Sequence, residues 1–151
     1  MKKTERLLIF FLILQCHAFG QAAPRTNSFN GAPATLKNYK ALYFLDDADD
    51  KKIRGIIRNI NNALDDPRLK GKLEVELVAF GEGVAIYKKV NAYDSLLLQL
   101  QNRGVILAQC ENTMRAFKIS RDELWAFTSY VPSGNGEIII RQSEGWSVIH
   151  P

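Results

Sequence analysis

Short apolar segments alternate with helical patterns along this chain, which predicts an α/β fold with a mostly parallel sheet and helices on both faces. Three observations carry that reading. Residues 39–45, 73–80 and 105–109 have strand length, and the last is almost wholly apolar, as expected for a strand covered on both faces. Ile53, Ile56, Ile57, Ile60 and Leu64 recur at helical spacing, and Leu96, Leu97 and Leu100 form a second stripe. Helix stops follow each stripe: Asp65-Asp66-Pro67 after the first and Gly104 after the second.

Residues 1–20 read as a signal peptide. Lys2, Lys3 and Arg6 give a basic start, residues 7–14 an apolar core, and Ala18 and Gly20 the small residues of a cleavage site, so Gln21 is the expected mature N-terminus. The apolar run is much shorter than the roughly 20 residues of a membrane span. Gln15, directly before Cys16, argues against lipidation. Cleavage removes Cys16 and His17, places the product in the periplasm or outside the cell, and leaves no membrane attachment. Residues 21–37, rich in Ala, Pro, Asn, Ser and Thr, read as a flexible leader to one domain over residues 38–151.

The remaining elements follow in order. After the first strand, Asp46, Asp47, Asp49 and Asp50 oppose the positive end of the first helix. The second strand ends at Gly81-Glu82-Gly83, with a short helical stretch expected over 84–88 and a firmer helix over 93–101. The third strand leads to Cys110, and a helix is expected from Asn112 to Phe117. Ser120 and Glu123 have capping-box spacing. A fourth strand is expected over 127–131, a helix over 136–144 closed by Gly145, and a final strand over 146–149. No internal repeat is present.

Charge and composition exclude several functions. The chain's net charge is +4, of which Lys2, Lys3, Arg6 and Glu5 contribute +3 − 1 = +2, leaving +4 − 2 = +2 after cleavage. No basic run with interleaved aromatics remains, so nucleic acid is not an expected partner. Zinc is not expected, for want of clustered Cys and His. The acidic cluster lacks the glycine and distal glutamate of a calcium loop, and helix-start electrostatics accounts for it. Gly81 and Gly83 lack the third glycine of a dinucleotide fingerprint. Trp125 and Trp146 read as core or subunit-contact residues.

A parallel sheet gathers its functional loops at the carboxyl ends of its strands. Here these hold Asp46-Asp47, Gly81-Glu82-Gly83, Cys110-Glu111-Asn112 and Pro132-Ser133-Gly134-Asn135, with Cys110 central among them. A cysteine at a helix start is stabilised as thiolate, although buried free cysteine also serves simply as core. Glu111 and the apolar strand oppose ionisation, and the expected balance is a thiol slightly more acidic than free cysteine. After cleavage only His150 remains, at the far end of the chain, so a Cys–His hydrolase is not expected. Asn112 and Thr113 are placed either to donate to a sulfur-bound anion or only to cap the helix. Glu82 reads as a pocket acid or as a solvated turn residue.

Four features together resemble the DsrE/DsrF-like proteins, particularly small exported single-domain members. They are the Gly81-Glu82-Gly83 turn, the run from Gly104 through Cys110 to Met114, the segment Val131-Pro132-Ser133-Gly134, and the tail from Gln142 through Trp146 to Pro151. The resemblance implies a three-layer α/β/α fold with a five-stranded sheet, assembling as a homotrimer or homohexamer. It also implies a sulfur-relay role in which Cys110 takes up sulfur as a persulfide and passes it on, with Gly81, Glu82, Gly83, Asn112, Thr113, Ser133 and Gly134 around it. No cofactor or metal is required. The donor and acceptor are not identified by the sequence. The alternative is a non-catalytic oligomeric module that uses the same strand-end edge to hold a small ligand or a protein.

Overall fold

The computed structural model describes residues 28–151, so the expected signal peptide and the first part of the expected leader lie outside the described residues. The folded unit runs from Pro33 to Pro151, and residues 28–38 form neither helix nor strand.

The elements alternate as the sequence pattern requires: β1 (Tyr39–Leu45), α1 (Asp50–Asp65), β2 (Leu73–Ala79), a 3-10 segment (Gly81–Tyr87), α2 (Asp94–Asn102), β3 (Ile106–Cys110), α3 (Glu111–Phe117), a 3-10 turn (Arg121–Glu123), β4 (Ser129–Val131), α4 (Gly134–Ser143) and β5 (Ser147–Ile149). The five strands form one sheet in the order β4-β3-β2-β1-β5, and every pairing is parallel. From β1 to β4 the chain steps one strand at a time in one direction. It then crosses back over the whole sheet through α4 to reach β5. With right-handed crossovers, the stepwise helices share one face and α4 lies on the other.

The two faces differ in how they are covered. The larger core unites Ile53, Ile56, Ile57 and Ile60 of α1 and Leu97 and Leu100 of α2 with Tyr43, Leu77 and Leu107 of the strands. Each of these side chains contributes roughly 1.5–3 kcal/mol by leaving water. Opposite, Leu42, Val78, Ala108 and Trp146 form a smaller cluster against which Phe44, Val131, Ile138 and Val148 pack. Glu76 lies within the sheet at 1% exposure, and Arg141 of α4 donates to it at 2.8 Å while also pairing with Glu137. Gly104 and Gly145 adopt φ of 85° and 84°, the left-handed geometry that closes α2 and α4.

Several boundaries differ from the sequence expectations. The stretch expected over 84–88 is a 3-10 segment that starts at Gly81, because the Gly83 N–H bonds Phe80 C=O at 3.0 Å and the turn closes against β1. The third helix begins at Glu111 rather than Asn112, with Cys110 as its N-cap. The fourth strand is only Ser129–Val131, since Thr128 N–H is drawn to Trp125 C=O at 3.0 Å. The last helix starts at Gly134, two residues earlier than expected, because Ser133 Oγ accepts from Gly136 N–H at 3.2 Å and caps it. The Ser120–Glu123 capping box is formed as the spacing predicted.

Candidate functional site

Side chains alternate between faces along a strand. Ala108 packs in the smaller cluster and Leu107 in the larger, so Cys110 projects toward the α4 side and Gln109 toward the other. The register sets Val78 opposite Ala108, and one step beyond the last paired residues Cys110 stands beside Phe80. Cys110 is a free thiol, 4% exposed.

The thiol lies where two helices begin. As a neutral thiol it makes no capping hydrogen bond to α3. Once ionised, it can accept from the backbone N–H groups of Thr113, Gly134 and Asn112 and from the Thr113 hydroxyl. That hydroxyl has its own acceptor duty: Thr113 Oγ takes a hydrogen bond from Gly81 N–H at 2.9 Å. The Gly81 contact therefore leaves the single hydroxyl proton for the sulfur. Burial is the largest single influence on the thiol and pushes its pKa up. The surrounding donors together outweigh it, so Cys110 ionises below its ordinary value.

The direction agrees with the sequence expectation, but the balance of causes differs. Glu111 was expected to oppose ionisation by repulsion; instead its carboxylate pairs with Arg121 at 2.5 Å, and Arg121 lies 4.2 Å from the Tyr130 ring centre. The opposing effect is burial alone.

The glycines of the site are required by close approach. A Cβ on Gly134 would stand 2.8 Å from Phe80 Cδ1, and one on Gly83 would stand 2.1 Å from Leu45 O. Gly134 thus lets α4 begin against Phe80 with its N–H beside the sulfur, and Gly83 seats the turn on β1. Ser133 positions α4 through its cap rather than through the thiol. The Asn112 side chain accepts from Arg115 and so neither caps the helix nor turns to the sulfur; its backbone N–H is the part that does. Glu82 is exposed on the turn. The structure therefore brings Gly81, Asn112, Thr113 and Gly134 to Cys110, with Gly83 and Ser133 shaping the surroundings.

Two contributors escaped the sequence reading. Gln109, fully buried, donates from Nε2 to Cys110 C=O at 3.0 Å and fixes the peptide at the strand end. An amide in an otherwise apolar strand, directly before the cysteine, was the available signal. Phe80 was the other; it covers Gly134 and stacks at 5.8 Å on Phe44.

His150 shares the α4 side but lies at the far end of the sheet. Its ring stacks on Phe44 at 4.2 Å and its Nε2 is 3.2 Å from Asp46. With β2 and β1 between β3 and β5, three strand spacings separate it from Cys110, about 14 Å. It cannot take the thiol proton directly. The other acids near β1 also have partners: Asp49 caps α1 at Lys52 N–H, Asp47 pairs with Lys52, and Asp50 pairs with Arg54. Among the described residues no cluster of three His, Cys, Asp or Glu could hold a metal ion, and no helix is long and apolar enough to cross a membrane.

Comparison with known proteins gives four findings. A search of curated proteins finds no match. The solved structure of a protein of unknown function, MTH1491 from Methanobacterium thermoautotrophicum, is similar at 32% identity and a TM-score of 0.71, covering 76% of this chain and 100% of that one. A conserved protein of unknown function from Bacteroides thetaiotaomicron, BT1422, shares the fold at 10% identity and a TM-score of 0.59, covering 80% of this chain and 100% of its own. The family model of the DsrE/DsrF-like proteins matches residues 26–151, which include every described residue, and with the all-parallel five-stranded sheet this makes the chain a member of the DsrE/DsrF-like family.

Proposed function

We propose that this protein is a sulfur carrier in which Cys110 holds sulfane sulfur between a donor and an acceptor. The observation that carries the reading is the set of donors converging on one thiol, from Thr113, Gly134 and Asn112, which favours the nucleophilic form. In the loading step the Cys110 thiolate attacks the outer sulfur of a donor persulfide. A new S–S bond forms at Sγ, the donor's own S–S bond breaks, and the donor leaves as its thiolate. In the delivery step an acceptor thiolate attacks the outer sulfur, and Cys110 departs as thiolate. The sulfur moves without an external oxidant or reductant. Thr113 and the Gly134 N–H stabilise the thiolate both as attacking group and as leaving group, and Gly81 keeps the Thr113 hydroxyl turned toward it.

Export to the periplasm or beyond is part of this proposal, supported by the basic start, apolar core and small residues of positions 1–20. Self-association is also part of it, supported by the family and by Ile139 and Ile140, which α4 leaves 65% and 54% exposed. The test of the carrier reading is intact mass after incubation with inorganic polysulfide. Wild type should gain one sulfur and Cys110→Ser none; equal gain in both, or none in either, overturns it.

A second reading has one observation in its favour. At 4% exposure Cys110 is buried enough to be core packing in a non-catalytic binding module. Alkylation separates the two readings. A carrier thiol reacts faster than free cysteine at neutral pH, whereas a core thiol reacts more slowly.

A further inference from the structure

The outer flank of α3 carries a separate cavity that the thiol chemistry does not use. Its volume is about 350 Å³, within the range of small-molecule sites. The buried side chains of Met114 and Ile119 give it apolar walls, and the exposed Arg115, Lys118 and Arg121 surround them, with Glu111 as the one carboxylate. Arg121 and Glu111 neutralise each other in their ion pair, so Arg115 and Lys118 leave the cavity with two positive charges.

Two of the cations are held in place before any ligand arrives. Arg121 is fixed between Glu111 and the Tyr130 ring, and Arg115 by the Asn112 side chain. Lys118 provides the independent observation. Its φ of 54° makes it the one non-glycine residue with positive φ among the described residues. It stands at the C-cap of α3, where its N–H bonds Arg115 C=O at 3.3 Å and the next N–H, of Ile119, bonds Met114 C=O at 2.9 Å. Glycine normally fills such a position because it adopts left-handed geometry without steric cost. A lysine there bears a conformational cost that closing the helix does not require, and what it adds is a charged side chain on the cavity.

We propose that this cavity binds a small organic dianion, an apolar body carrying one phosphate-like group. The anionic group would lie between Arg115 and Lys118, and the apolar body against Met114 and Ile119. The site is independent of the carrier reading, because none of the residues that donate to the thiolate, Thr113, Gly134 and Asn112, lines the cavity.

The experiment is calorimetric titration with phenyl phosphate and, separately, inorganic phosphate at matched ionic strength. The proteins are wild type, Lys118→Gly, Arg115→Gln and Cys110→Ser. Saturable phenyl phosphate binding is expected in wild type and unchanged in Cys110→Ser. It should weaken about tenfold or more in Lys118→Gly and Arg115→Gln, the loss of one charge-assisted contact. Inorganic phosphate should bind more weakly than phenyl phosphate. Lys118→Gly relieves the left-handed backbone, so its fold, checked by thermal denaturation, should be at least as stable as wild type. Absence of saturable binding in wild type, equal affinity in the charge variants, or equal affinity for the two phosphates each overturns the proposal.

Discussion

Replacing Gly134 by alanine places a methyl group 2.8 Å from Phe80 Cδ1 and 3.1 Å from Phe80 Cβ and Cγ. The base of the ring cannot swing aside, and Phe44 stacks on it at 5.8 Å. The first turn of α4 must therefore shift, carrying the Gly134 N–H away from the sulfur. A hydrogen bond to a charged group is worth about 1.5–3 kcal/mol. At about 1.4 kcal/mol per pKa unit, its full loss raises the thiol by roughly one to two units. A partial shift of the turn should give about one. Overpacking adds about 1–3 kcal/mol of destabilisation. The assay is a thiolate absorbance titration alongside urea denaturation. The double variant Gly134→Ala/Phe80→Ala leaves only the residue-80 Cβ at 3.1 Å, so it should restore much of the wild-type titration even though its core is weaker. A folded Gly134→Ala protein titrating as wild type would refute the assignment of this N–H to the thiolate.

Gly83→Ala places its methyl 2.1 Å from the backbone oxygen of Leu45, which cannot swing aside, so urea denaturation should show a loss of about 3 kcal/mol or an unfolded protein. Arg141→Met leaves the Glu76 carboxylate, 1% exposed, without its counter-ion and should cost about 3–5 kcal/mol in the same assay. Burial already holds the Glu76 pKa above its ordinary value, with Arg141 opposing that rise. A raised folded-state pKa contributes stability below the unfolded value of about 4.3, and that contribution is lost as pH rises through the folded value. Losing Arg141 raises the folded value further, so the Arg141→Met penalty should grow as pH rises above the unfolded value; a penalty independent of pH would contradict this. Exported protein should begin at Gln21 by N-terminal sequencing and should exceed monomer mass in light scattering; material that starts at Met1, or a monomer, would count against export processing or assembly respectively.

The fold was legible because its signals are periodic and local. The isoleucine stripe of α1 needs one buried face, the apolar third strand needs cover on both sides, and Gly104 and Gly145 mark where helices close. Boundaries were less legible where a tertiary contact decides them. Residues 132–135 read as a loop, yet α4 starts at Gly134 because Ser133 caps it and Gly134 alone fits beneath Phe80. The site divides in the same way. Cys110, Thr113 and Gly134 lie at strand ends and could be named from the sequence. The position of Phe80 beside Cys110 follows only from the register between β2 and β3, which the two segments do not encode separately. The order β4-β3-β2-β1-β5 carries His150 to Phe44 and Asp46, so the separation from the thiol is a consequence of topology rather than of its place at the chain's end. Most groups facing the sulfur are main-chain N–H donors, which any residue but proline supplies. Such a site leaves almost no side-chain signature. It is visible in sequence mainly through the glycines whose missing Cβ lets the main chain come close.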